Sequence, residues 1–198
     1  MHAAEQERPD VAAARAVWQA GQQALDPRRL VFIDETGTST NMARLRGRAR
    51  RGRRVVGRVP WGHWKIVTFV AALRHDAITA PFVIDRAMTS VIFVEYIRQC
   101  LLPTLSEGDI VVMDNLQPHK NAKVRELIEG AGAELRFLPA YSPDLNPIEQ
   151  AFAKLKAHLR KAQARTIDAL WQRIGTLLDL FQPHECANFL ANSGYART

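Results

Sequence analysis

Two runs of four consecutive apolar residues, Leu30-Val31-Phe32-Ile33 and Ile110-Val111-Val112-Met113, each end in an aspartate. Continuous apolarity of this kind predicts strands covered on both faces. Stretches rich in Val, Ile and Phe at 64–74 and 77–84 predict two more strands, with His75-Asp76 as the turn of an antiparallel hairpin. The full set of predicted strands is 29–34, 64–74, 77–84, 109–114 and 134–138. Helical spacing predicts a helix near the start, over 9–24, stopped by Asp26-Pro27. A second helix, 90–102, is closed by Pro103, and a third, 120–129, is ended by Gly130 and Gly132. The order strand 109–114, helix 120–129, strand 134–138 is a βαβ unit, so those strands are expected as parallel neighbours with a right-handed crossover. After Asn146-Pro147, read as N-cap and first helical residue, Ile148, Ala151, Phe152, Leu155, Leu159 and Ala162 form one apolar face. The whole pattern predicts a mixed α/β domain.

Length and composition narrow this picture. The chain has 198 residues, 47% of them hydrophobic, which suits one globular domain of residues 27–198 behind an N-terminal helical linker of residues 1–26. No apolar run approaches the ~20 residues of a membrane span, and the polar start lacks a signal-peptide core, so a soluble cytoplasmic protein is expected. Cys100 and Cys186 show no metal-binding spacing and read as buried thiols, which excludes a disulfide framework and a structural zinc site. The net charge of +7 favours a polyanionic partner, nucleic acid above all. Most of the excess is concentrated in Arg44, Arg46, Arg48, Arg50, Arg51, Arg53, Arg54 and Arg58, a stretch without a single acid. These arginines are candidates for gripping phosphates, with Lys65, Lys120, Lys156 and Arg160 extending the track; a solvated loop is the competing reading. Trp61 and Trp64 suit base stacking or ordinary turn packing.

The candidate chemistry lies in acids. A carboxylate at the C-terminal end of a central parallel strand sits where open α/β sheets place their sites, and adjacent strands would bring Asp34 and Asp114 together. Two such carboxylates repel unless a cation lies between them, and all-oxygen ligation suits Mg²⁺ or Mn²⁺. Taken singly, each reads equally well as a polar strand end or cap. Glu149 stands about 100° off the apolar stripe of its helix, in line with Lys156 and Arg160. Asn146-x-x-Glu149 is also a capping-box pattern, so capping competes with catalysis there. Glu35, Asp85, Asp109 and Asp144 rank lower, Glu35 because it points to the opposite face from Asp34.

Taken together, three segments resemble the catalytic domain of bacterial insertion-sequence transposases of the mariner superfamily, the DDE group. They are Phe32-Ile33-Asp34-Glu35-Thr36, Val111-Val112-Met113-Asp114-Asn115 with His119-Lys120, and Tyr141-Ser142-Pro143-Asp144-Leu145-Asn146-Pro147-Ile148-Glu149. The resemblance runs from about residue 27 into the tail around Cys186 to Tyr195. It implies a ribonuclease-H-like fold, with a mixed five-stranded sheet flanked by helices on both faces. It implies Asp34, Asp114 and Glu149 as catalytic metal ligands for two Mg²⁺ ions, Mn²⁺ substituting, with Asp34 bridging. Asn115 and His119 are auxiliary candidates for orienting the nucleophile or contacting phosphate; an ordinary loop histidine is the other reading of His119. The implied reaction is nicking at element ends followed by attack of the freed 3′-hydroxyl on target DNA. Partners implied are transposon ends and target DNA, a dimer assembled on DNA, and a separate DNA-binding chain, because residues 1–26 cannot contain a helix-turn-helix reader. A non-catalytic nucleic-acid-binding remnant and a nuclease without strand transfer are the alternatives.

Overall fold

The two apolar tetrads become the middle of a five-stranded sheet. The computed structural model describes residues 4–57 and 59–195, the side chains of Gln117 and Pro118 excepted. Its elements are α1 (Pro9–Gln22), β1 (Leu30–Ser39), β2 (Ile66–Leu73), β3 (Ile78–Ile84), α2 (Ser90–Tyr96), β4 (Ile110–Met113), α3 (Ala122–Gly130), β5 (Glu134–Phe137), α4 (Ile148–Ala162), α5 (Ile167–Leu178) and α6 (Pro183–Asn192). The sheet order is β3-β2-β1-β4-β5. β1 and β4 pair in parallel from Leu30 with Ile110 to Ile33 with Met113, and β4 pairs in parallel with β5. β2 joins β1 and β3 in antiparallel pairings, as the hairpin reading expects.

Both tetrads are buried throughout because each face of the sheet carries its own core. Leu30, Phe32 and Val112 pack with Phe152 and Leu155 of α4, Leu170 and Ile174 of α5 and Leu190 of α6. Val31, Ile33, Val111 and Met113 pack with Phe93 of α2, Ile97, and Val124 and Ile128 of α3. Alternating residues therefore feed opposite layers, which is why no polar position interrupts the runs. The result is the expected mixed sheet with helices on both faces.

Three features differ from the sequence reading. β1 does not stop at Asp34 but continues to Ser39, paired with β2 as far as Ser39 and Ile66. The polar Thr-Gly-Thr-Ser run looks like a turn, yet Thr36 and Thr38 are buried and Gly37 exposed, the alternation of a strand. Helix α2 passes through a π turn at Ile97–Leu101 into a short 3-10 turn over Leu102–Thr104. Cys186 is buried, but Cys100 is only partly so.

Helix α1 is docked on the domain. Trp18 Nε1 donates to the Tyr195 hydroxyl at 2.9 Å, which in turn donates to the Leu145 carbonyl at 2.8 Å. The Tyr195 ring lies 4.8 Å from that of Phe32. Arg15 forms a two-pronged ion pair with Asp144, at 2.9 and 2.7 Å. Residues near the start of the chain thereby fasten the loop that leads into α4. Among the described residues no helix is long and apolar enough to cross a membrane.

Candidate active site

Asp34 and Asp114 are the next residues after Ile33 and Met113, the last pair of the parallel ladder. Each lies one step beyond the parallel rungs, Asp34 still paired with Ala71 of β2, at the end of the sheet where β5 leads into the 138–146 loop. That loop crosses the strand ends and delivers Glu149 in the first turn of α4. All three carboxylates line one cavity of about 360 Å³, together with Asn115, Tyr141, Ser142 and Asn146. Asp34 is buried, Asp114 half-buried and Glu149 exposed.

Each aspartate has a dedicated partner. Asp34 Oδ1 accepts from the Glu35 N–H at 2.7 Å, and its Oδ2 from Asn146 Nδ2 at 2.8 Å. Asp114 Oδ1 lies 2.5 Å from His119 Nδ1 and also accepts from the Leu116 N–H at 3.2 Å. His119 is 1% exposed and its ring stacks on Phe93 at 4.4 Å. It is thus placed beneath Asp114, inside the layer of α2 and α3, and is neither an exposed loop histidine nor a lining residue of the cavity. Asn115 does line it.

Burial pushes the Asp34 carboxyl up to about 7; the Glu35 N–H counteracts this, while Asp114 and Glu149 add repulsion. Burial likewise raises Glu35, which is half-buried and absent from the cavity lining. For His119 burial disfavours the cation, but the bond to Asp114 and the negative charges of Asp114, Glu35 and Asp34 outweigh it and raise its pKa above 6.5. The site is a concentration of negative charge whose first acid is held at the edge of ionisation.

Such a donor set fits a hard divalent cation: oxygen ligands only, no cysteine, and mutual repulsion that a cation would relieve. Among the described residues, however, no three His, Cys, Asp or Glu side chains are drawn tightly enough together to form a metal cluster. Like charges splay, and Asp34 and Asp114 are turned onto Asn146 and His119.

The basic residues occupy a different region. Arg44, Arg46, Arg48, Arg50, Arg51, Arg53 and Arg54 are exposed in the irregular segment between β1 and β2; Arg58 lies outside the described residues. Lys65 and Lys120 are exposed, and Lys156 and Arg160 half-buried on α4. The base of the segment is clamped: Thr40 N–H donates to Lys65 O at 3.0 Å, and Arg165 Nη1 donates to the carbonyls of Thr40 and Met42 at 3.1 and 2.9 Å. Trp61 is fully exposed and Trp64 more than half exposed, so neither serves core packing.

Sequence reasoning treats Asn146 as a helix cap. In the structure α4 has Pro147 at its N-cap position with no side-chain cap, and Asn146 serves Asp34 instead. Nothing local to the sequence signals this, because Asn followed by Pro is also the usual pattern of an N-cap and first helical residue.

Sheet order, layers and the placement of acids at the strand ends define a ribonuclease-H-like domain. A family model described as DDE superfamily endonuclease matches residues 29–171, and the chain belongs to that family. It is 28% identical over 126 residues to the transposable element Tc1 transposase of Caenorhabditis elegans, covering 58% of this chain and 46% of that relative. The transposable element Tcb2 transposase of Caenorhabditis briggsae is 24% identical over 128 residues, with 57% and 46% covered. The chain thus spans about half the length of the curated relatives it matches. Among solved structures, the Mos1 mariner paired-end complex with Mn superposes with a TM-score of 0.78 at 14% identity, covering 98% of this chain and 61% of that one. The catalytic domain of Mos1 mariner transposase gives 0.68 at 12% identity, covering 98% and 91%.

Proposed function

We propose that the chain is the catalytic domain of a DNA transposase, cutting phosphodiester bonds at transposon ends and joining the freed 3′-hydroxyl to target DNA. The observation that carries this reading is the meeting of Asp34, Asp114 and Glu149 at one cavity in a chain of the DDE family. Asp34, Asp114 and Glu149 would hold two Mg²⁺ ions, Mn²⁺ substituting, with Asp34 shared between them. When bound, such ions would supply activation of the attacking oxygen and stabilisation of the leaving one.

The chain's own residues do the rest. Asn146 and the Glu35 N–H fix the Asp34 carboxylate, and His119 fixes Asp114. Asn115 lines the cavity, and its role in this reading is to orient the nucleophile or contact the scissile phosphate. The arginines of the 44–58 stretch, with Lys65, Lys120, Lys156 and Arg160, neutralise the backbone of the bound duplex. No covalent enzyme intermediate is required. In this reading residues 1–26 are a helical lead-in to a catalytic domain of residues 27–198, end recognition falls to a separate DNA-binding chain or module, and cutting takes place in a dimer on DNA. Resemblance of the three motifs to bacterial insertion-sequence transposases supports a location in the cytoplasm, at the nucleoid when bound.

The test is product analysis. Labelled duplexes incubated with the chain and Mn²⁺ should yield 3′-hydroxyl ends and joined strands. Both products should vanish in Asp34→Asn, Asp114→Asn and Glu149→Gln while DNA retention stays nearly unchanged. Cleavage that survives Asp114→Asn would remove the assignment, and cleavage without joining would make the chain a nuclease.

A further inference from the structure

Asn146 occupies a position from which asparagine usually caps a helix, yet its side chain caps nothing. The first-turn amides are served by the main chain: Glu149 N–H donates to Asn146 O at 3.2 Å and Gln150 N–H to Pro147 O at 3.1 Å. The Asn146 side chain is 4% exposed, its Nδ2 donates to Asp34 Oδ2 at 2.8 Å, and its Oδ1 is buried without a hydrogen-bond partner. A buried amide oxygen without a donor is unfavourable, and a forgone cap is a second loss. A small apolar residue would avoid the unpartnered oxygen but would also strip the buried Asp34 of its donor, so the bond to Asp34 is what the side chain is held for.

We infer that Asn146 is a positioning residue for the metal-binding carboxylates, a neutral strut that sets Asp34 against the start of the helix carrying Glu149. The inference rests on the metal-dependent reading of Asp34 given above. A carboxylate offers two lone pairs on each oxygen. The Glu35 N–H takes one on Oδ1 and Asn146 Nδ2 takes one on Oδ2. One lone pair is left on each oxygen, the arrangement a carboxylate needs to serve two cations at once. The donor is also uncharged. A lysine or arginine in its place would discharge Asp34 and compete with divalent ions, whereas an amide orients the carboxylate and leaves its charge intact. Finally, the Asn146 carbonyl accepts the Glu149 N–H. One residue therefore ties the first acid, on β1, to the third, on α4, although they are far apart in the chain.

The test compares Mn²⁺ binding, followed by electron paramagnetic resonance of the free ion with a short duplex present, against thermal melting without metal. The proteins are the wild-type chain, Asn146→Leu, Asn146→Ala and Asp34→Asn. Asn146→Leu keeps the branched heavy-atom skeleton and removes the donor; Asn146→Ala covers the case in which the bulkier leucine does not fit. Loss of a residue that orients a ligand typically lowers metal affinity about 10- to 100-fold, and that loss is expected here in the folded variants at temperatures well below their melting. Lowered melting with unchanged Mn²⁺ affinity of the folded chain would make Asn146 structural and overturn the inference. Loss of Mn²⁺ in Asp34→Asn would in that case leave the metal reading standing. A wild-type chain that binds no Mn²⁺ would overturn the metal reading, and the inference with it.

Discussion

Ile33 and Met113 form the last rung of the parallel ladder between β1 and β4, and the next residue on each strand is an aspartate. The ladder therefore brings both carboxylates out at the same level. Beyond it the strands diverge in partner: β1 goes on beside β2, while β4 ends and the chain turns through His119 into α3. Asp34 is consequently the buried acid and Asp114 the accessible one.

The three raised groups give stability a definite pH dependence. Asp34 is raised from 3.8 to about 7, so the native chain keeps a proton there that the unfolded chain has lost. Its contribution is full below about pH 4 and is lost as pH rises towards 7; Glu35, also raised, has the same sign. His119, raised above 6.5, stabilises the native state below that value and ceases to as pH climbs through its folded-state pKa. All three act together, and from Asp34 alone the metal-free chain is expected to lose about 4 kcal/mol over this range. Urea unfolding at about pH 4 and about pH 8 measures it, and a flat profile would contradict the burial argument.

Asp34→Asn removes that titration. The variant is expected to be more stable than wild type near neutral pH by about 2–4 kcal/mol, with a flattened pH profile, and to be inactive. Unfolding midpoints of the two proteins side by side give the answer; a destabilised variant would mean that Asp34 is not strained in the native state.

These acids show how far the sequence could be read. Leu30 to Ile33 and Ile110 to Met113 were legible as central strands because burial on both faces leaves an unbroken apolar run, and the aspartate ending each was legible for the same reason. The far half of β1 was not, because Thr36 to Ser39 alternate in burial without alternating in hydrophobicity. Asn146 reads as a cap because its partner, Asp34, lies over a hundred residues away. The docking of α1 was equally hidden: nothing local to Arg15 or Trp18 names Asp144 or Tyr195. The sequence reading assigns neither of the final helices α5 and α6, although Thr166 caps the first and Pro183 opens the second.

His119 is expected to act through Asp114 alone. His119→Phe preserves a ring against Phe93 while deleting the charge-assisted bond, which should destabilise the chain by about 1–3 kcal/mol and lower Mn²⁺ affinity about tenfold. Ring-proton NMR of wild type should show the histidine titrating above its free value. An unaltered Mn²⁺ affinity in the variant would reduce His119 to core packing.

The Arg15 and Asp144 pair is part-buried on one side, with side-chain exposures of 15% and 41%. A double-mutant cycle with Arg15→Ala and Asp144→Ala should give a coupling of about 1 kcal/mol, towards the upper end for an accessible pair because the contact is two-pronged. Zero coupling would show that α1 is held by Trp18 and its apolar neighbours instead.

If the exposed arginines grip phosphates, replacing Arg50, Arg51, Arg53 and Arg54 by alanine should lower the slope of log affinity for duplex DNA against log salt by about 3.6, at about 0.9 for each phosphate no longer neutralised. Mn²⁺ binding should be untouched, since the segment is clamped at its base and lies away from the cavity. A slope equal to that of wild type would make the segment a solvated loop.

The most direct measurement is a calorimetric titration of the purified chain with Mn²⁺, with and without a short duplex, beside Asp114→Asn. Three carboxylates that form a working site should give saturable binding, tighter with DNA present and abolished in the variant. Wild-type and variant chains that take up Mn²⁺ equally weakly, even on DNA, would contradict the metal-dependent reading and return Asp34, Asp114 and Glu149 to two strand ends and a helix start.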